Sequence, residues 1–237
     1  LLDEAAGIGY RSPAVKVSVV IPTLNEAPRI TEAIRRAWTA GADEVIVCDG
    51  GSLDDTAEVA RQQTCHFVET AKGRAVQQNA AARQATGDVL LFLHADTWLD
   101  AGAIDQIRGL PARRKFVCGG FEQHIEAPGR VFRWLERGDA LRVRLFGLAY
   151  GDQGIFVRRE VFEAVGRFPE IPLMEDVRLM RKLRRRGRPV LLPGPIHVSP
   201  RRWQRYGVVR QTLRNWSLLL AERLGVPPER LAPFYPR

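Results

Sequence analysis

Two aspartates stand close behind short apolar runs: Asp49 follows Glu44 to Cys48 (EVIVC), and Asp96 follows Val89 to Leu93 (VLLFL) with His94 and Ala95 in between. Behind a third run, Val15 to Ile21, come Pro22, Thr23, Asn25 and Glu26, and behind Asp49 come Gly50, Gly51, Ser52 and Asp54. Carboxylates gathered where apolar segments end can bind a cation or accept hydrogen bonds from a ligand. Each one alone also reads as a turn residue or a helix cap. A further acidic pair, Glu175-Asp176, opens a helical pattern, where it serves the helix macrodipole or is placed to take a proton.

The elements that must position these residues alternate in type. Val15 to Ile21 is a β-branched run closed by Pro22, and Asn25-Glu26-Ala27-Pro28 then starts a helix that runs to about Ala40. Glu44 to Cys48 predicts a second strand, and Ser52 to Thr56 caps an Ala-rich helix, with Asp54 as the capping side chain. Cys65 to Glu69 and Gly73 to Ala85 repeat the pattern, and Val89 to His94 is a fourth strand. Continuous apolar strands alternating with helices imply a parallel sheet covered on both faces. In such sheets ligands sit beyond the carboxyl ends of the strands, where the polar residues above lie.

The second half is less regular. Phe116 to Gln123 and Gly154 to Val157 predict strands that extend the sheet in mixed fashion, separated by an amphipathic stretch from Arg130 to Leu145. Helices are expected at Arg159 to Val165, Glu175 to Arg186 and Gly207 to Leu224, and Pro193-Gly194-Pro195 reads as a turn before His197. The expected architecture is one α/β domain with two lobes: a tail over 1–14, a first lobe over 15–110, and a second lobe with a C-terminal helical segment over 111–237.

Composition narrows the class. The chain has 237 residues, of which 45% are hydrophobic and 27% charged, which suits a globular protein with a sizeable core. No apolar run is long enough to cross a bilayer as a helix. Cys48, Cys65 and Cys118 lack any metal-knuckle spacing, which fits a reducing compartment. The start Leu1-Leu2-Asp3-Glu4 has no Met, no basic segment and no apolar segment, so it reads as a fragment or processed chain without a secretory leader. Lys and Arg number 36 against 27 Asp and Glu, a net charge of +9 carried almost wholly by Arg. That surplus favours phosphate-bearing partners.

Five blocks together resemble the family-2 glycosyltransferases of GT-A fold, and most closely a small bacterial branch whose fourth strand ends in FLHADT. They are Val17 to Ile30 (VSVVIPTLNEAPRI), Asp49 to Thr56 (DGGSLDDT), Gly87 to Thr97 (GDVLLFLHADT), Tyr150 to Pro189, and Ser199 to Gly207 (SPRRWQRYG). They occur in the family's order over nearly the whole chain.

The resemblance implies a mixed, mostly parallel Rossmann-like sheet with donor and acceptor lobes, and inverting transfer from a UDP- or GDP-linked sugar to a hydroxyl acceptor. It places Asp49 on the nucleobase, with Pro22, Thr23 and Glu26 lining the base and ribose pocket. Gly51, like Gly50, would let the backbone approach the nucleotide. Lys72 and Arg74 at a helix start would face the diphosphate, unless they form a solvated basic turn. Arg202, with Arg201 beside it and Trp203 packed nearby, would meet the same group from the late motif.

The family's Asp-x-Asp binds a divalent metal, Mn²⁺ or Mg²⁺, whereas this chain has His94-Ala95-Asp96. Asp96 remains the expected ligand, with His94 as a weak or outer ligand, since imidazole suits Mn²⁺ better than Mg²⁺. His197 is a further metal candidate or a structural histidine. Asp176, supported by Glu175, is the expected base, and Asp152 and Gln153 would hydrogen-bond the acceptor.

Two other readings concern partners. The run Arg181 to Arg186 together with the positive charge suits a phosphate- or nucleic-acid-binding module, although no nucleic-acid motif accompanies it, and a solvated helix face looks the same. Val208 to Leu224 mixes Arg with Leu and Trp216, which suits an anionic bilayer surface, core packing or a dimer contact. The resulting expectation is a cytoplasmic enzyme in peripheral contact with the inner face of the membrane, acting on a lipid-linked acceptor and not on nucleic acid.

Overall fold

The computed structural model describes residues 15–110 and 116–235. The expected tail over 1–14 and the lobe boundary near Pro111 fall outside those residues. The first half builds β1 (Val17–Thr23), α1 (Ala27–Thr39), β2 (Glu44–Asp49), α2 (Thr56–Arg61), β3 (His66–Glu69), α3 (Arg74–Gln84) and β4 (Val89–Phe92). The second half builds β5 (Thr97–Leu99), α4 (Asp105–Arg108), β6 (Cys118–Ile125), α5 (Arg130–Phe146), β7 (Phe156–Arg158), α6 (Arg159–Ala164), α7 (Glu175–Leu183), β8 (Val190–Val198), α8 (Arg201–Tyr206), α9 (Val208–Arg223) and α10 (Pro228–Leu231).

One eight-stranded sheet runs in the order β3-β2-β1-β4-β7-β6-β8-β5. β3, β2, β1 and β4 are mutually parallel, and β7 enters antiparallel between β4 and β6. This is the mixed extension that the sequence predicts. β1 shows why the sheet must be covered on both faces. Val17, Val19 and Ile21 pack with Ile30 and Ile34 of α1 and Ile104 and Ile107 of the α4 region, while Val20 joins Ile46, Ala81 of α3, Phe162 of α6 and Leu179 of α7 on the opposite side. A run apolar on both faces is what such a central strand requires.

Two strands were not expected from sequence, β5 and β8. Pro193 and Pro195 fall where the ladder between β6 and β8 shifts register, between Phe121 and Gln123, so the prolines occupy an irregularity of a strand that continues beyond them. A third, smaller cluster joins Leu173, Met174 and Val177 to Leu218 of α9 and Leu231 of α10, and so fastens the C-terminal helices to the start of α7.

Candidate active site

The carboxyl ends of β1 and β2 are clasped into one surface. Gln77 of α3, fully buried, donates from Nε2 to the carbonyls of Thr23 (2.6 Å) and Cys48 (2.8 Å). Asn25 and Ser52 then bridge the two loops: the Asn25 amide donates to Ser52 Oγ (2.8 Å) and Asn25 Oδ1 accepts from the Leu53 amide (2.8 Å). Gly50 has no room for a side chain, because a Cβ there would lie 2.9 Å from the Gln77 amide carbon. Gly51 sits at φ +81° with open space in front of it, a conformation that glycine adopts without strain.

Asp49 is buried in this clasp. Its Oδ2 accepts the amides of Gly51 (2.9 Å) and Ser52 (2.8 Å), and its Oδ1 accepts from Thr23 Oγ1 (3.4 Å) and the Ser52 hydroxyl. The carboxylate therefore shapes the loop that carries the glycines, and a nucleobase would reach it only if Ser52 gave way. Pro22 is half-buried beside it. Glu26 holds Arg29 (3.0 Å), and its amide donates to Thr56 Oγ1 (2.8 Å). Asp54 stands one residue before the N-cap of α2, Asp55, and accepts the amides of Thr56 (3.1 Å) and Ala27 (3.2 Å), so it links the starts of α2 and α1 and is not itself the N-cap.

The end of β4 meets the start of α7. Met174 takes φ +65°, a left-handed conformation costly for a residue with a Cβ, and directly precedes Glu175-Asp176. Glu175 is 1% exposed and forms an ion pair with Arg74 of α3. Asp176 is half-buried, and its Oδ2 accepts the Gly151 amide at 2.7 Å. A methyl group added at Gly151 would stand 2.9 Å from His94 Nε2 and 3.3 Å from Asp176 Oδ2. One small residue thus lets the fourth strand's histidine and the acidic pair border a common spot.

Electrostatics at that spot are consistent with ligand binding. His94 Nε2 is buried with no hydrogen-bond partner among the described residues. Burial, reinforced by Arg74 and Arg202, holds the imidazole well below its usual pKa and so keeps it neutral. Burial pushes Asp96 the other way, but the hydrogen bond from Arg201 (2.9 Å) and the charges of Arg202 and Arg201 outweigh it and keep the carboxylate ionised. For Arg74, burial opposes the charge, and the Glu175 and Asp176 carboxylates more than offset it.

The late motif closes the other side. Arg201 opens α8 on Asp96, Arg202 hydrogen-bonds the Tyr235 hydroxyl, and the Trp203 ring meets Phe132 of α5 edge-on at 6.2 Å. Lys72 is exposed. Between Tyr150 and Gly154, Asp152 Oδ1 is buried without a partner, and burial raises its pKa despite Arg142.

Gln153 and His197 have other contacts. Gln153 is fully buried; its Oε1 accepts from Arg142 Nη2 (2.6 Å) and the Tyr150 amide (3.1 Å), which braces the loop, and its Nε2 has no partner among the described residues. His197 lies between Glu126 (2.5 Å) and Asp100 (3.0 Å) and stacks on Trp98 at 5.2 Å. The β5–β8 register explains its surroundings: His197 pairs with Trp98, next to Asp100. Both ring nitrogens of His197 face carboxylates, and it does not join His94 and Asp96.

Among the described residues, the one group with metal-ligand spacing is His124, Glu126 and His197. There Arg133 points a donor at His124 Nδ1 from 2.8 Å, a contact suited to an ion-pair network. The arrangement at His94 and Asp96, an orphaned neutral imidazole beside an ionised carboxylate, fits a divalent cation that completes its shell with ligand phosphate oxygens.

Sequence reasoning missed Gln77 and Tyr235, which act through contacts between residues distant in sequence.

Known proteins share both the sequence pattern and the architecture. Residues 18–166 match the family described as Glycosyl transferase family 2. An undecaprenyl-phosphate 4-deoxy-4-formamido-L-arabinose transferase of Sodalis glossinidius is 30% identical over 166 residues, which are 63% of this chain and 51% of that protein. This chain thus spans about half the length of that relative. A PGL/p-HBAD biosynthesis glycosyltransferase of Mycobacterium bovis is 29% identical over 88% of this chain and 86% of its own. The mannosyltransferase PcManGT of Pyrobaculum calidifontis, solved with GDP-Man and Mn²⁺, superposes with a TM-score of 0.60 at 20% identity, covering 93% of this chain and 68% of its own. That likeness establishes a GT-A fold for this sheet. With the family pattern spanning more than half of the chain and the sheet matching in architecture, the protein belongs to glycosyl transferase family 2.

Proposed function

We propose that this protein transfers a sugar from a UDP- or GDP-linked donor to a hydroxyl acceptor with inversion at the anomeric carbon. The observation that carries the reading is the meeting at Gly151: a half-buried carboxylate, Asp176, and an orphaned neutral imidazole, His94, border one spot at the end of β4. Inverting transfer is an in-line displacement. It needs a base on the acceptor side and positive charge at the leaving diphosphate.

Asp176 would take the acceptor proton, and the Gly151 amide would hold the carboxylate in place while it does so. Arg202 and Arg201 supply fixed positive charge for the diphosphate. Arg74, tied to Glu175, sets the position of α7 and therefore of Asp176. Asp96 and His94 would hold a divalent metal, and their mixed oxygen and nitrogen set suits Mn²⁺ better than Mg²⁺. Bound there, the metal would neutralise charge on the departing diphosphate. The Gly50-Gly51 loop, braced by Asp49, Thr23 and Gln77, would lie against the nucleotide, with Pro22 and Glu26 at its side and Trp203 near the diphosphate. Asp152 would accept a hydrogen bond from the acceptor or the sugar.

The acceptor we propose is lipid-linked. The Sodalis relative is named for an undecaprenyl-phosphate substrate, and the Mycobacterium relative is named for PGL/p-HBAD biosynthesis. No helix among the described residues is long and apolar enough to cross a membrane, so contact with lipid would be peripheral. The basic run on α7 does not favour a nucleic-acid role. Arg181, together with the nearby Arg178, is committed to Glu222, and the Lys182 amine bonds the Val165 carbonyl.

A panel of UDP- and GDP-sugars incubated with Mn²⁺ and a lipid-linked glycoside that presents free sugar hydroxyls, followed by proton NMR of the anomeric signal, tests the reading. Product of opposite anomeric configuration to the donor is expected. Retained configuration would exclude Asp176 as a base acting in a single displacement.

A further inference from the structure

The outward faces of α5 and α9 are sorted in an unusual way. On α5, Val131, Trp134, Leu141 and Leu145 recur along one solvent-facing stripe, with Phe146 at its end, and Trp134 is 66% exposed. On α9, Val209, Leu213, Trp216, Leu220 and Leu224 do the same, and Trp216 is 65% exposed. A surface helix of a globular protein normally turns such a stripe inward. Here the inward faces are already occupied, by Phe132, Ala140 and Val143 on α5 and by Gln211, Leu218 and Glu222 on α9.

Charge is sorted as well. Arg130, Arg137 and Arg144 run beside the α5 stripe, and Arg210 and Arg223 lie beside that of α9. Every carboxylate of the two helices is turned away from the stripes and into an ion pair. Glu136 pairs with Arg133 (2.8 Å), Asp139 with Arg142 (2.6 Å), and Glu222 with both Arg178 (3.0 Å) and Arg181 (2.7 Å). What remains outside is tryptophan, aliphatic and arginine surface, and among the described residues only Arg144 of these arginines has an ion-pair partner, Glu122.

We infer that the exposed faces of α5 and α9 dock this protein on an anionic phospholipid surface. Arginine flanking an apolar stripe is the composition of a helix lying in a membrane interface, with tryptophan at headgroup depth. A polyanion such as nucleic acid matches the arginines and leaves the stripes in water. A second copy packed about a two-fold axis would set the α5 arginine row against its own image, which like-charge repulsion opposes. The surface also adjoins the site. Phe132 on the inner face of α5 touches Trp203, next to the arginines that meet Asp96 and Tyr235. An open hollow beside α9, lined by Tyr206, Arg214, Leu218 and Phe234, offers apolar walls and a guanidinium at its rim. The role of this surface in bringing a lipid-linked acceptor to Asp176 rests on the function proposed above, whereas the docking itself does not.

Flotation of the whole chain with vesicles tests the inference. Vesicles of phosphatidylcholine with about one third phosphatidylglycerol should carry the protein at low salt at least about tenfold better than phosphatidylcholine alone, with the advantage shrinking as salt rises. Trp134→Gln with Leu141→Gln, and separately Trp216→Gln with Leu220→Gln, should each lower flotation severalfold while nucleotide binding and thermal unfolding stay as in the parent. Equal flotation with both vesicle types, no flotation, or a dimer in light scattering that these variants dissociate would overturn it. Absent flotation with intact nucleotide binding removes the docking surface only, and flotation without nucleotide binding removes the proposed function only.

Discussion

Replacing Asp176 by Asn is expected to lower turnover by about a hundredfold or more while leaving nucleoside-diphosphate affinity within about twofold. The expectation follows from what the carboxylate does in the structure. Its Oδ2 accepts the Gly151 amide, a bond that an asparagine carbonyl can also accept, so the loop from Tyr150 to Gly154 keeps its place. What the amide cannot do is take a proton. Single-turnover kinetics with saturating donor separate the two effects, because loss of a base slows the chemical step and spares binding. Turnover close to that of the parent would remove Asp176 from the proton transfer and turn attention to Asp152, whose raised pKa and unpartnered Oδ1 place a second carboxyl nearby.

Arg74→Met is expected to be the most destabilising single change at the site. Glu175 is 1% exposed and pairs with Arg74, so removing the guanidinium strands a buried carboxylate at the start of α7. Breaking a buried pair from one side costs about 3 kcal/mol or more, which for a domain of this size lowers the melting temperature by on the order of ten degrees. The double variant Arg74→Met, Glu175→Met should recover much of that loss, since no charge is then left buried. Thermal unfolding of both proteins is the check. A double variant no better than the single one would show that Arg74 stabilises through packing alone. The pair also explains why Glu175 and Asp176, adjacent in sequence, do different work: one is buried to anchor the helix, and the other is left half-open beside His94.

Much of this was legible in the sequence, because the relevant signals are local. Apolar runs ended by polar residues gave the four parallel strands and the edge on which the site lies. The family resemblance of the acidic pair at a helix start and of the Arg-Arg-Trp block pointed to Asp176 and to Arg201 and Arg202, and the fold brings Arg201 onto Asp96. The failures are non-local. β8 was hidden because its prolines, which fall at a register irregularity against β6, resemble an isolated turn. The surroundings of His197 are equally non-local: pairing of β5 with β8 sets it beside Asp100 and Glu126, where it forms with His124 and Glu126 a group of metal-ligand spacing that one-dimensional spacing does not show. Asp49 shows the reverse case: its ordinary role as organiser of a turn is visible in its hydrogen bonds, and a ligand role would have to be added to that.

The proposed transfer depends most on His94 and Asp96 forming, in place of an Asp-x-Asp, a site for a metal-bound diphosphate. Calorimetric titration of UDP and GDP into the parent and into Asp96→Ala, with Mn²⁺, with Mg²⁺ and with EDTA, tests this directly. The account predicts that one of the two nucleotides binds the parent, about tenfold or more tightly with Mn²⁺ than with EDTA, and that Asp96→Ala loses the metal dependence. Affinity that is the same with metal and with EDTA, or a failure of both nucleotides to bind the folded parent, would contradict it.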